Sequence, residues 1–265
     1  MKGNQNRKNS LFSSLVLSLC CFGASQTWAE KITFVADEWY PMNGNPTEKD
    51  NLGFMIDLSK AILEPKGYEI DYQIIPWSRS LKSVRSGQSD CGVGAASGDA
   101  PDFIFPSNEL AQISTKFYVL KDNPWKFTDV ASLKGVPIGI INSYSYGDVL
   151  DEYIKSNKTN EVQVVGGNDS LEQNIKKLIS GRIKAIPETN VVMEAKLKEM
   201  NASDQVKEAG LIDAAENLYI ACSPHTSKAE RAKKITGLLS DGMSELRANG
   251  GLKKILDKYN LEDWK

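Results

Sequence analysis

Short apolar runs alternate with helical patterns along most of this chain. Residues 32–36 (ITFVA) predict a first strand. GFMIDLSKAILEPKGY follows, with Phe54, Leu58, Ala61 and Ile62 at helical spacing and a stop at Pro65 and Gly67. Residues 70–75 alternate as a second strand. A short helix over 78–86 places Trp77, Leu81 and Val84 on one side and Arg79, Lys82 and Arg85 on the other, ending at Gly87. Strands at 91–95 and 115–120 complete this first unit.

At KDNPW (121–125) the pattern pauses and begins afresh. A strand at 137–141, a Tyr-Ser-Tyr-Gly turn, a helix near 149–156 and a strand at 162–165 come next. The helix predicted over 170–180 turns Leu171, Ile175, Leu178 and Ile179 inward, and is followed by a strand at 184–186 and a helix near 191–200. After Ala209 come a strand, LYIACS, and two helices, 227–248 and 252–259, separated by Gly250-Gly251. Such alternation predicts an α/β protein whose mostly parallel sheets are covered by helices.

The first 29 residues stand apart. Lys2, Arg7 and Lys8 precede an apolar run from Leu11 to Phe22, and Thr27-Trp28-Ala29 offers small residues at both cleavage-determining positions, so a signal peptide cut after Ala29 is expected. That run is too short to span a bilayer, which needs roughly 20 residues. Leu19 before Cys20 argues against lipoprotein processing. Without those three basic residues, 29 Lys and Arg of the chain's 32 face 34 Asp and Glu, a net charge of −5, with no long basic block. A nucleic-acid partner is therefore not expected. No cofactor is expected, and His225, in a Pro-His-Thr-Ser turn, reads as a surface residue and not a metal ligand. Only Cys91 and Cys222 follow the signal, either as buried thiols or as one bridge in an oxidising compartment.

Several stretches, in this order, resemble the bacterial extracellular solute-binding proteins of family 3, receptors of polar amino acid ABC importers. They are GFMIDLSKAIL at 53–63, WSRSLKSVRSGQSDCGVGA at 77–95, IFPSNEL at 104–110, ASLKGVPIGIINSYSYG at 131–147, LISGRIKAI at 178–186, and LYIACSP with the final helices. The resemblance implies the periplasmic binding protein type II fold, in which two α/β lobes close around a solute. It places 30–120 with 218–265 in one lobe and 121–217 in the other. It also brings the strand at Cys222 beside the one at Cys91, which makes a bridge between them possible.

The same resemblance assigns a cleft. Trp39 and Trp77 match positions where aromatics sandwich the ligand, and Tyr40 is able to exchange roles with Trp39. Gly94, Ala95 and Ser97 match a strand end and loop offering backbone groups and a hydroxyl, where small residues let a solute approach the main chain. Tyr144 and Ser145 match hydroxyl positions and Tyr146 is a further candidate, at a strand-to-helix turn whose N-terminus suits anionic groups. Two departures stand out. The arginine that forks onto an α-carboxylate in the family is missing from SGDAPDF, and the amine-binding aspartate's place falls on Thr189, flanked by Glu188 and Asn190, with Glu188 able to pair with an ammonium after one residue of slippage around Pro187. Arg79 either supplies the lost charge or lies on a solvated helix face. Asp99 and Asp102 either face the cleft and favour a cation or shape a turn.

Together these readings imply a monomeric periplasmic receptor, without catalysis, that closes on a small polar solute. The solute is amino-acid-like or a related amine or organic acid, delivered to an ABC permease. A sensor signalling to a membrane partner is the neighbouring alternative, and a lyase or dehydratase on the same fold is the enzymatic one.

Overall fold

The computed structural model describes residues 1–3, 29–156, 161–212 and 215–265. The expected signal peptide lies outside them but for its first three residues and Ala29. In chain order the first elements are β1 (Glu30–Ala36), α1 (Phe54–Leu63), β2 (Tyr68–Ile74), α2 (Trp77–Arg85), β3 (Cys91–Ala95) and β4 (Ala111–Ile113). Next come β5 (Thr115–Leu120), β6 (Ile138–Ile141), α3 (Asp148–Ser156), β7 (Val162–Val165), α4 (Ser170–Ile179), β8 (Ile186–Thr189), α5 (Asn190–Glu199) and β9 (Val206–Leu211). β10 (Glu216–Cys222), α6 (Ala229–Ala248) and α7 (Gly251–Lys258) close the chain.

Two mixed sheet systems result. In the first, β1 runs parallel to β2 and β3, while β10 pairs antiparallel with β3 and β4, giving the order β2-β1-β3-β10-β4. Ile32 and Phe34 of β1 share one buried core with Phe54, Leu58 and Ile62 of α1, and α6 and α7 return to pack on α1. Cys222 stands opposite Cys91 in the β3–β10 register, and the two form a disulfide with Cα atoms 3.9 Å apart. In the second, β8 and β9 flank β5 antiparallel, and β6 pairs parallel with β7, joined to the chain before β8 through the Ile138–Ala185 bridge. Phe117, Leu133, Ile138 and Leu150 form a buried cluster there.

β5, expected with the first unit, pairs with β8 and β9 among the described residues, so the chain changes sheets at Ser114, between β4 and β5. Nothing in the composition of these apolar runs distinguishes one sheet's strand from the other's. β4 and the polar β9 (VKEAGL) escape the hydrophobic pattern altogether. The strand expected at 184–186 begins instead at Ile186 and runs through Pro187, because β8 is an edge strand on which a missing N–H is tolerated. Ile179, expected on the buried face of α4, is exposed at its C-terminal end.

Candidate functional site

The cavity of interest lies outside the carboxyl ends of β1, β3 and β6, where open α/β sheets place ligands. After β1 the chain folds back on itself: the Trp39 amide donates to the Asn43 carbonyl at 2.8 Å, which holds the indole over the sheet edge. Asn43 Nδ2 donates to the Asp37 carbonyl (2.5 Å) and to the Tyr72 hydroxyl (3.0 Å), pinning the same turn. Trp77 enters from the first turn of α2 and is only 4% exposed. At the end of β3, Gly94 has φ +81, a conformation that favours glycine, and a Cβ there would lie 3.5 Å from both the Trp39 ring and Asn43 Oδ1.

The second sheet supplies Tyr144, Ser145 and Tyr146 from the turn between β6 and α3, and Glu188 from β8. Hydrogen bonds cross from one sheet system to the other. Trp39 Nε1 donates to Glu188 Oε1 at 3.0 Å, the Tyr144 hydroxyl to Asp37 Oδ2 at 2.7 Å, and the Ser145 amide to Asp99 Oδ1 at 2.8 Å. The Tyr144 ring meets both indoles edge-on, each with a centroid separation of 6.3 Å. The free space between these side chains is about 30 Å³, room for one or two waters.

Acidic groups dominate the electrostatics. Asp37, Asp99, Glu188 and Glu216 line the cavity, and no Lys or Arg does so among the described residues. Burial pushes Asp37 up to about 7, against the opposing pull of the Tyr144 hydroxyl. Asp99 and Glu188 are likewise raised to about 7 by burial, despite accepting backbone hydrogen bonds from Ala96 and Ser145, and from Thr189. Glu188 Oε1 takes both donors, Trp39 Nε1 and the Thr189 amide (2.8 Å). Its Oε2 is buried without a hydrogen-bond partner.

The turn before α3 is also occupied. Tyr146 N and Ser145 Oγ donate to Asp151, at 2.9 and 2.7 Å, and Ser145 N to Asp99. The anions at this helix start are thus the protein's own carboxylates. Among the described residues, no group of three or more His, Cys, Asp or Glu is placed to hold a metal ion.

Of the residues expected from sequence, Trp39, Trp77, Gly94, Tyr144, Ser145, Tyr146 and Glu188 line this cavity. The others do not. Tyr40 turns away to pack on Tyr259, 6.1 Å between ring centroids. Arg79 lies on the exposed face of α2, because the buried face of that helix is set by Trp77, Leu81 and Val84. Ala95 is fully buried in the first core and Ser97 is exposed. Thr189 and Asn190 line a neighbouring groove; adjacent strand residues point to opposite faces, so a strand that aims Glu188 into the cavity turns Thr189 away. Asp102 makes a two-pronged pair with Arg85 on the surface (2.7 and 2.8 Å). Asp99 closes a turn through the Ala96 amide (2.8 Å) and also lines the cavity. Asp37 was not singled out from sequence, although its place directly after a parallel strand was the available signal.

The family of bacterial extracellular solute-binding proteins, family 3, matches residues 32–262. A curated relative, the probable amino-acid-binding protein YxeM of Bacillus subtilis (strain 168), is 23% identical over 229 residues, 84% of this chain and 80% of that protein. Two solved structures share the fold. One comes from work on glutathione import via GshT and the cystine ABC importer TcyBC of Streptococcus mutans (TM-score 0.71, 18% identity, 88% of this chain and 98% of that one). The other is a histidine kinase sensor domain with similarity to periplasmic binding proteins (TM-score 0.69, 17% identity, 88% and 98%).

Proposed function

The chain belongs to the bacterial extracellular solute-binding proteins, family 3, and from that premise we propose that it is a two-lobed periplasmic receptor for a small polar solute, exported by its N-terminal segment and serving an ABC permease. The lobes follow the two sheet systems, with the chain crossing at Ser114 and again between β9 and β10. The Streptococcus mutans relative is described together with an ABC importer, which supports the transport role. The matched family and its curated relative are named for binding, and in this reading the receptor works as a monomer without catalysis.

One observation carries this reading: the cavity is lined by both sheet systems and bridged by hydrogen bonds between them. A solute of several heavy atoms does not fit into space for one or two waters, so it enters only when those bonds open and the lobes part. On closing, Trp39, Trp77, Gly94, Tyr144, Ser145, Tyr146 and Glu188 contact it from both sides. The solute stabilises the closed form by whatever contacts the open form lacks. A permease then recognises the closed pair of lobes.

The test is a thermal-shift screen of the purified protein across amino acids, amines, organic acids and small peptides, with product analysis of each hit. Saturable binding of a solute recovered unchanged supports the receptor; turnover overturns it. Sensing is the second reading, since the fold is shared with a histidine kinase sensor domain. A permease and ATPase encoded beside the gene favour transport, and a kinase lacking its own sensor domain favours signalling.

A further inference from the structure

We propose that the solute is an organic cation bearing ammonium groups and no carboxylate, with Glu188 Oε2 as its principal acceptor and Asp37 and Asp99 balancing its charge. This deepens the receptor reading and rests on it.

Glu188 Oε2 is the most specific observation. The residue is only 3% exposed, its Oε1 already serves two donors, and Oε2 has none. A buried carboxyl oxygen without a hydrogen-bond partner is a costly arrangement in a folded protein, and a ligand N–H removes that cost. Asp37 and Asp99 each carry one cross-sheet bond, so a cation entering between the sheets meets all three acids as the lobes close.

An incoming carboxylate finds the reverse situation. No Lys or Arg lines the cavity among the described residues, four acidic side chains do, and the Ser145 and Tyr146 amides are held by Asp99 and Asp151. The incoming carboxylate finds no free donor there, and each of these acids, once ionised, repels it. The walls favour an organic cation over a metal ion. Trp39, Trp77 and Tyr144 present aromatic surface, which attracts ammonium groups and packs on a hydrocarbon body. The acids themselves form no metal-holding group.

Matched pairs differing only in the carboxylate test this directly: lysine against 1,5-diaminopentane, and arginine against 4-aminobutylguanidine, titrated by calorimetry into the purified protein. The decarboxylated member is expected to bind at least tenfold more tightly in a pair. Glu188→Gln, which keeps the volume and an oxygen to accept from Trp39, is expected to weaken it at least tenfold. Asp102→Asn, at the surface pair with Arg85, is expected to leave it unchanged. A thermal melt of Glu188→Gln establishes that it folds; if it does not, the matched pairs decide alone. Binding confined to amino acids, or equal within each pair, overturns the cation class and leaves the receptor reading standing. No saturable ligand in these pairs or in the wider screen overturns both.

Discussion

The indole nitrogen of Trp39 donates to Glu188 Oε1 at 3.0 Å, joining residues 149 positions apart that belong to different sheets. The bond fixes the indole at the mouth of the cavity and uses up one carboxylate oxygen, which leaves the other for a ligand. Trp39→Phe removes the donor and keeps an aromatic ring. A hydrogen bond of this kind contributes about 1 kcal/mol, so affinity for a solute found in the screen is expected to fall roughly fivefold. Calorimetry on both proteins checks it, and unchanged affinity would show that the bond contributes nothing to the closed form.

Gly98 approaches the second sheet from the loop after β3. A Cβ there would stand 2.5 Å from Ser145 Oγ and 3.2 Å from its Cβ, close enough to push the two lobes apart. Gly98→Ala is expected to weaken solute binding about tenfold. Small-angle scattering with saturating ligand should then report a more open particle than the parent's. A particle as compact as the parent's would mean that the Ser145 side chain simply rotates aside.

Arg79 lies on the exposed face of α2, away from the cavity. Arg79→Ala is accordingly expected to change affinity by less than twofold. A tenfold loss would return this side chain to the site.

The buried acids make stability depend on pH with a definite sign. Asp37, Asp99 and Glu188 keep their protons up to about pH 7 in the closed chain, whereas carboxylates in the unfolded chain ionise near pH 4. Between those limits the folded protein holds more protons than the unfolded one. Their contribution is therefore full below about pH 4 and is lost as pH rises through 7. Asp102 and Asp263, held low by Arg85 and Arg247, act in the opposite direction and only at lower pH. The melting temperature of the ligand-free protein is expected to fall from pH 5 to pH 8, and the Asp37→Asn, Glu188→Gln double variant to flatten the curve. An equal slope in both proteins would assign the dependence to other groups.

The Cys91–Cys222 disulfide closes a loop across 131 positions that contains all of β4 to β9. Cross-linking so long a loop restricts the unfolded chain by roughly 5 kcal/mol on entropic grounds, and removing native disulfides commonly costs 2–5 kcal/mol. Guanidinium unfolding of the Cys91→Ser, Cys222→Ser protein should show a lower midpoint of that order. Identical midpoints would mean that the β3–β10 pairing survives in the unfolded chain without the bridge.

The order of strands and helices was legible because it depends on local periodicity. Phe54, Leu58 and Ile62 sit where helical spacing put them, and so do Trp77, Leu81 and Val84. Glycines at sharp turns were legible too: Gly67 and Gly87 end their elements at φ +86 and +75. The resemblance to a known family brought Trp39, Trp77, Tyr144 and Glu188 into view, but it could not decide between Glu188 and Thr189, since that choice depends on which face of β8 meets the cavity.

Taken by itself, the sequence determined the α/β alternation, the run of small residues at Gly94 to Gly98 and the absence of an arginine from that loop. Tertiary structure alone decided that β5 leaves the first sheet at Ser114. It also decided that Asp37, Asp99 and Glu188, drawn from three distant segments, enclose one cavity. The reason is physical: periodicity records which residues are buried within an element, whereas a shared site depends on where strand ends from separate sheets meet. A carboxylate's character there is set by the water its neighbours exclude, which no stretch of sequence specifies alone.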